Sequence, residues 1–198
     1  MQARFASGSA PLAGRARRRY ADPTMALPIR TDIVDVYVFR RARSETRHPK
    51  SDLEFLQLHR VPTISLPDTW QPVMGHMHPE ETPAATALRE LAEETGYGRG
   101  AGLLGFWQLE EPNTYFLNSH HCFVMSPCFA AEVEPGRAPL LDADHDAARW
   151  VARPLADRAF LWPGQRRAVA AIVRDILEPG SPVEPLLRID VNTLQSKP

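Results

Sequence analysis

Apolar residues past Pro28 fall into short runs whose period changes along the chain. Ile33, Val34, Val36, Val38 and Phe39 predict a first strand. A polar stretch at 42–51, interrupted by Pro49, predicts a loop, and Leu53, Phe55, Leu56 and Leu58 predict a second strand bounded by Arg60 and Pro62. Residues 70–74 read as a short extended piece that delivers the chain to Gly75. The period then lengthens: Ala84, Ala87, Leu88 and Leu91 recur at i, i+3, i+4 and i+7, the stripe of an amphipathic helix. Thr82 is placed to cap its start, Pro83 takes the first helical position and Gly96 closes it. Thr86, Glu90, Glu93 and Glu94 are expected on the opposite, polar side.

Segments 102–110 and 119–133 read as strands, the second long and rich in Phe, Val and Cys. Residues 142–146 form an acidic loop ahead of a short strand at Trp150 and Val151. A second helix is predicted over 163–177, with Ala168, Ala171, Ile172 and Ile176 facing inwards. Strands mixed with one central and one late helix suggest helices packed on both faces of a mixed sheet.

The ends read differently from this middle. Residues 1–26 carry Arg4, Arg15, Arg17, Arg18 and Arg19 among Ala, Gly, Ser and Pro, without strand alternation, and are expected to be disordered or weakly attached. Such a start suits a transit peptide, although it lacks an amphipathic stripe; an overlong start assignment, with Met25 opening the domain, suits it equally. Residues 179–198 are expected to form a loosely held tail, tacked down by Leu186, Leu187 and Ile189. One domain over 27–178 accounts for the rest.

Composition narrows the class. With 43% hydrophobic and 24% charged residues the chain supports a real core and resembles a soluble protein. A formal net charge of -1 gives no signature of a nucleic-acid polymer as partner, and no stretch approaches the length of a membrane span. Cys122 and Cys128 are the only cysteines, and both sit in apolar sequence. They read as reduced core residues of an intracellular, cytoplasmic protein.

The chemistry concentrates on the central helix. Glu90, Glu93 and Glu94 fall at spacings of three and four, which makes them neighbours on one face. Like charges so placed repel by roughly 0.2–0.5 kcal/mol per pair. A Glu-rich helix is most often a solvated face, but a hard divalent cation beside a phosphate-bearing ligand explains why this repulsion is tolerated. Mg²⁺, or Mn²⁺ in its place, favours carboxylate, carbonyl and water oxygens. A main-chain carbonyl near Gly75 could join the glutamates, because glycine lets the backbone approach closely. Arg89, on the same turn, is placed to pair with Glu93 or Glu81 and hold those carboxylates rather than touch substrate.

The whole pattern, Gly75-x5-Glu81-x7-Arg89-Glu90-Leu91-x-Glu93-Glu94-x-Gly96-Tyr97, resembles the Nudix box of the Nudix hydrolase superfamily at every fixed position. The resemblance, strongest over 75–97 and weaker over 30–178, implies a Nudix-type α/β/α sandwich. It also implies Mg²⁺-dependent hydrolysis of a nucleoside diphosphate linked to another group. It further implies that Glu90, Glu93 and Glu94 are the principal metal ligands and that Glu81 is a supporting or additional one. Two departures stand out: Met74-Gly75 replaces a pair of glycines common in the family, and Glu80 occupies a position where many members have glycine. Residues 76–80 are therefore expected to follow a different path. His76 and His78 flank the site, as solvent-exposed loop residues or as phosphate or proton-transfer groups.

Outside the box, Trp70-Gln71-x-Val73-x-Gly75, Thr114-Tyr115-Phe116, Asp144-His145, Trp150-Val151 and 162–166 resemble the dihydroneopterin triphosphate and dATP pyrophosphohydrolase branch. There the residue before the histidine is commonly glutamate, so Asp144 keeps the charge with a shorter reach. It is a candidate for ligating a metal or orienting water. Trp70, Trp107, Tyr115 and Phe116 are candidate stacking platforms for a base or pterin, and Arg60 and Arg41, near strand ends, candidate phosphate contacts. No Ser or Cys has a persuasive His/Asp constellation, so direct attack by water is expected. The substrate expected is a small phosphorylated molecule, a nucleoside or pterin triphosphate cut to monophosphate and pyrophosphate. The alternatives are a dinucleoside polyphosphate or nucleotide-sugar, and a catalytically silent nucleotide-binding module. A homodimer is compatible with the sequence, which marks no interface.

Overall fold

In the computed structural model the described residues are 26–41 and 53–194. The Arg-rich start, the polar loop at 42–51 and the last residues of the tail lie outside them. The strands are β1 (Ile29–Arg30), β2 (Ile33–Arg41), β3 (Leu53–Arg60), β4 (Trp70–Gln71), β5 (Val73–His76), β6 (Leu103–Gln108), β7 (Asn113–Leu117), β8 (Cys122–Ser126), β9 (Cys128–Val133) and β10 (His145–Ala152). The helices are α1 (Pro83–Thr95), α2 (Arg153–Ala159), α3 (Pro163–Ala171), which continues as a π-turn over Ile172–Ile176, and α4 (Glu184–Leu187).

The main sheet runs β10-β3-β2-β9-β6, with β4 added beside β3 and β5 beside β2. The β2–β9 pair is parallel and the others antiparallel, so the sheet is mixed. Alternation along β2 and β3 sends side chains to two separate cores. Tyr37, Phe39, Leu53 and Phe55 pack with Phe160, Val169, Ile172 and Ile176 under α2 and α3. Val34, Val36, Val38, Leu56 and Leu58 pack with Ala87, Leu91 and Tyr97 under α1. The expected α/β/α sandwich is what forms. Among the described residues no helix is long and apolar enough to cross a membrane.

A smaller sheet, β1-β8-β7, stands beside the main one. It corrects the single strand expected over 119–133. Pro127 interrupts that stretch, and the residues before it join the small sheet while those after it join the large one. The strand β7 was not expected, because only Asn113 among its residues is buried and its sequence shows no alternation. The helix α2 likewise buries only Ala156 and presents no stripe. The strand expected at Trp150 and Val151 is longer, reaching back to His145 through its pairing with β3. At the other end Leu187 packs on the first core, Ile189 and Val191 on the second, and the Ile189 amide donates to the Phe106 carbonyl at 2.8 Å.

Candidate active site around the acidic helix

The helix α1 forms where expected and for the expected reasons. The Thr82 hydroxyl accepts from the Ala85 amide at 3.2 Å, Pro83 opens the first turn, and Gly96 closes the last in the left-handed region at φ 68°. Its polar side is not a solvent face, however. Thr86 and Glu94 are both buried, and Glu90 is largely covered. The cause is the short strand β5, which pairs with β2 from Val73 to His76 and lies against this side of the helix. A Cβ on Gly75 would stand 1.8 Å from Cδ of Glu90, so a side chain there would displace that carboxyl from its place beside Arg89.

Arg89 gathers the carboxylates. Its Nε donates to Glu81 Oε1 at 2.8 Å and one terminal nitrogen to Glu81 Oε2 at 3.0 Å, a two-pronged pair. That nitrogen also donates to the His76 carbonyl at 2.8 Å. The other terminal nitrogen donates to Glu90 at 2.7 Å and Glu93 at 3.0 Å. Glu81 is held further by the His78 amide and the Thr86 hydroxyl. The Arg89 hydrogen bonds, set against some burial, pull the Glu81 carboxyl down to about 2. They also raise the guanidinium above its ordinary value.

Glu94 has the opposite environment. It is 5% exposed, and its Oε2 is buried with no hydrogen-bond partner. Burial first, then the charges of Glu90 and Asp142, push its carboxyl up to about 9. Arg60 and a main-chain group of Met74 oppose that shift without cancelling it. Burial also raises Glu90. Glu93 is the most exposed of the helix carboxylates, its side chain 55% exposed while it pairs with Arg89 at 3.0 Å.

These features suit a divalent cation. A carboxylate whose second oxygen is buried and unsatisfied keeps its charge more readily when positive charge arrives next to it. Among the described residues no three His, Cys, Asp or Glu side chains surround one point, and Arg89 pairs with three of the glutamates.

The remaining candidates fall at different distances from this centre. Arg60 donates to the Ser65 carbonyl at 2.8 Å and is among the charges acting on Glu94, so it lies on the α1 side. Arg41 does not join it: it ends β2, pairs with Glu132, and stands seven residues from Val34, the partner of Gly75. At about 3.3 Å per residue that is roughly 23 Å away. His76 and His78 are exposed on the rim. His76 Nδ1 is 3.5 Å from both Asp32 and Arg30, which form an ion pair at 2.7 Å. Glu80 adopts φ 73°, the left-handed conformation that favours glycine, so the loop keeps at this residue a glycine-like turn rather than avoiding it.

Tyr115 and Phe116 point to opposite faces of the small sheet and cannot line one pocket. Tyr115 shares the side of Asn113 and feels the charges of Asp35, Arg30 and Asp32. Phe116 meets Phe123 on the outer face, with ring centres 5.5 Å apart. Trp70 packs against His59 at 4.9 Å and under the Arg149 guanidinium at 4.2 Å. Arg149 bonds Gln57, which reaches α2 at Ala159, so Trp70 lies on the α2–α3 side of the sheet. Trp107 is core, packed on Phe39. Asp144 is exposed, its amide 3.3 Å from Asp142 and its carbonyl receiving the Val61 amide. Cys122 and Cys128 are buried and unpaired with each other.

Three features went unread in the sequence. Asp142, three residues before the buried His145, bonds it at 2.8 Å; the i, i+3 Asp–His spacing was the available signal. Gln165 and Gln71 bond each other at 2.6 Å inside the protein, joining α3 to β4, and nothing local marks such a pair. A groove of about 510 Å³ between β6 and residues 185–192 lies apart from the acidic helix.

The family model described as NUDIX domain matches residues 51–172. Among solved structures, a NUDIX hydrolase from Listeria monocytogenes shares 23% identity, covering 72% of this chain and 92% of that one at a TM-score of 0.55. An Ap4A hydrolase from C. elegans shares 17%, covering 72% and 94% at 0.55. The E. coli dihydroneopterin triphosphate pyrophosphohydrolase shares 21%, covering 69% and 91% at 0.54. At these identities the likeness is one of fold. An octanoyltransferase from Myxococcus xanthus is 32% identical over 110 residues, half of this chain, and the match spans only 27% of that curated protein.

Proposed function

This chain belongs to the Nudix hydrolase superfamily, and from that premise we propose that it cleaves a nucleoside or pterin triphosphate to monophosphate and pyrophosphate by direct attack of water. The observation that carries the reading is the buried, partnerless Oε2 of Glu94, one helical turn from the largely covered Glu90. A group so placed is an ion ligand in waiting, and the expected ion is Mg²⁺ or Mn²⁺.

Glu94 and Glu90, with a main-chain oxygen near Gly75, would hold the ion, joined by Glu93 and supported by Glu81. Bound there, such an ion neutralises phosphate oxygens and acidifies water. The chain's own groups do the rest. Arg89 is a positioning residue, which fixes Glu81, Glu90 and Glu93 from one guanidinium. Glu93, the most exposed of the helix carboxylates, takes a proton from the attacking water on the oxygen that Arg89 leaves unbonded, with Asp144 an alternative from its loop. Arg60 meets the phosphates. The rim of His76 and Tyr115 bounds the organic part of the substrate.

Support for a triphosphate comes from the segments resembling the dihydroneopterin triphosphate branch. Two of them are physically joined, since Gln165 donates to Gln71 at 2.6 Å and accepts from the Trp162 amide at 3.2 Å. The test is a panel of triphosphates, dinucleoside polyphosphates and nucleotide-sugars with Mg²⁺, products identified by mass. Pyrophosphate plus a monophosphate is expected. Two phosphorylated organic fragments would move the substrate to the capped diphosphates, and tight binding without turnover would make the protein a binding module.

A further inference from the structure

Arg149 is a partly buried cation to which the fold gives no counter-charge. Arg30, Arg40, Arg41, Arg89 and Arg174 each pair with a carboxylate within 3.0 Å. Arg149 has only a neutral acceptor: its Nε and Nη2 both donate to Gln57 Oε1, at 3.0 and 2.7 Å. Burial pulls the guanidinium below its ordinary basicity, and no carboxylate among the described residues offsets that. A charge taken out of water normally keeps a partner.

The surroundings hold this guanidinium in one place. Gln57 is fully buried, and its Nε2 donates to the Ala159 carbonyl at 3.2 Å, which turns Oε1 towards Arg149. Trp70 lies beneath the cation, its ring centre 4.2 Å from Cζ, and His59 packs against the same indole at 4.9 Å. Asp146, three residues back along β10, is taken up by His59 at 2.6 Å. A guanidinium carries five N–H donors. The bonds to Gln57 occupy one edge of the fork, and no acceptor among the described residues takes the protons of Nη1. Arg149 and Gln57 are cross-strand partners on the α2 face of the sheet, whereas Ala148, Trp150, Leu56 and Leu58 between and beside them pack towards α1.

We infer that Arg149 anchors an oxyanion-binding site on the α2 face, where a phosphate or carboxylate group lies in the guanidinium plane along its Nη1–Nη2 edge. The planar fork of arginine matches two oxygens of either group. Trp70 covers one face of the cation, so the ligand meets its edge. Gln57 keeps the site open, because a glutamate there would neutralise Arg149 from within. The sheet separates this site from the acidic side of α1, so the inference does not depend on the reading of Glu94.

NMR of the arginine side chains in the metal-free, nitrogen-15-labelled full chain tests it. Inorganic phosphate is titrated in against chloride at constant ionic strength. A saturable shift of the Arg149 Nε signal is expected, the signal being assigned by its absence in Arg149→Lys and by its contact with the Trp70 indole. Gln57→Glu, which keeps the arginine and supplies an internal anion, should weaken phosphate binding about tenfold or more, the scale of one hydrogen bond to a charged partner. A parallel titration with acetate separates the two sources: tighter phosphate binding assigns a phosphorylated ligand, tighter acetate binding a carboxylate one. An Arg149 signal that never saturates with either anion overturns the site. Saturable binding that survives both Arg149→Lys and Gln57→Glu overturns it too. If the variants do not fold, the wild-type titration, assigned through Trp70, still decides. No divalent ion is present, so failure here leaves the metal reading standing.

Discussion

The carboxyl of Glu90 lies where a side chain on residue 75 would have to go, 1.8 Å from the place of its Cβ. Gly75 thus leaves the room in which the Glu90 carboxyl sits against β5. Gly75→Ala should force Glu90 and the strand apart. Overpacking of this kind costs about 1–3 kcal/mol. Thermal melting should show the loss, and titration with Mg²⁺ should show weakened binding in whatever folded protein remains.

Arg89 reaches three glutamates and the His76 carbonyl at once. Lysine keeps the charge but not the planar fork, so Arg89→Lys is not conservative here. Steady-state kinetics should show kcat lower by about 10–100-fold, as when other groups that orient ion ligands are removed. A KM effect with kcat intact would instead mean that Arg89 contacts substrate.

The pH dependence of stability has a definite sign. Glu94 has its folded-state value raised from 4.5 to about 9, so between those values the folded protein holds a proton that the unfolded chain has released. Stability of the metal-free protein should therefore fall as pH rises through that window. Asp35, buried and raised from 3.8 to about 6, adds a fall of the same sign below pH 6. Glu81, lowered to about 2 by Arg89, acts oppositely, and its stabilisation disappears as pH drops from about 4.5 towards 2. Melting temperatures of the wild type and Glu94→Gln without divalent ions check this: the slope above pH 6 should flatten in the variant.

Glu80 occupies a conformation that L-residues adopt at a cost of roughly 1–2 kcal/mol. Glu80→Gly should raise the melting temperature by relieving that strain, less the extra freedom glycine gives the unfolded chain. A clear drop in melting temperature would show that the glutamate side chain contributes more than its backbone costs.

The two neighbouring aromatics of β7 should separate cleanly. Tyr115→Ser should raise KM, because that ring shares the side of Arg30 and Asp32, whereas Phe116→Ser, on the outer face with Phe123, should leave KM unchanged.

What could be read in advance followed physical strength. The helix was legible down to Thr82 and Gly96, because capping and a 3.6-residue stripe are local. The strands β2 and β3 were legible through their dense apolar runs. What failed was tertiary. Thr86 and Glu94 look like solvent positions until β5 covers them, and nothing in the sequence announces which strand lies there. Pro127 was a visible break in a segment read as one strand, overridden by the apolar residues around it. At the candidate site, the gathering of Glu81 and Glu93 by Arg89 was legible from spacing. Arg41 could not be excluded without knowing that β2 carries it to the far end of the sheet, nor Phe116 without knowing which face of β7 looks inward.

The central claim is that a divalent cation binds at Glu94 and that the carboxyl releases its proton to the solvent as it does so. Calorimetric titration of Mn²⁺ into the wild type and Glu94→Gln at pH 7.5, repeated in two buffers of different ionisation enthalpy, measures it most directly. The prediction is binding accompanied by proton release in the wild type, with both lost in the variant. Equal binding by the two proteins, with no proton released, would contradict it.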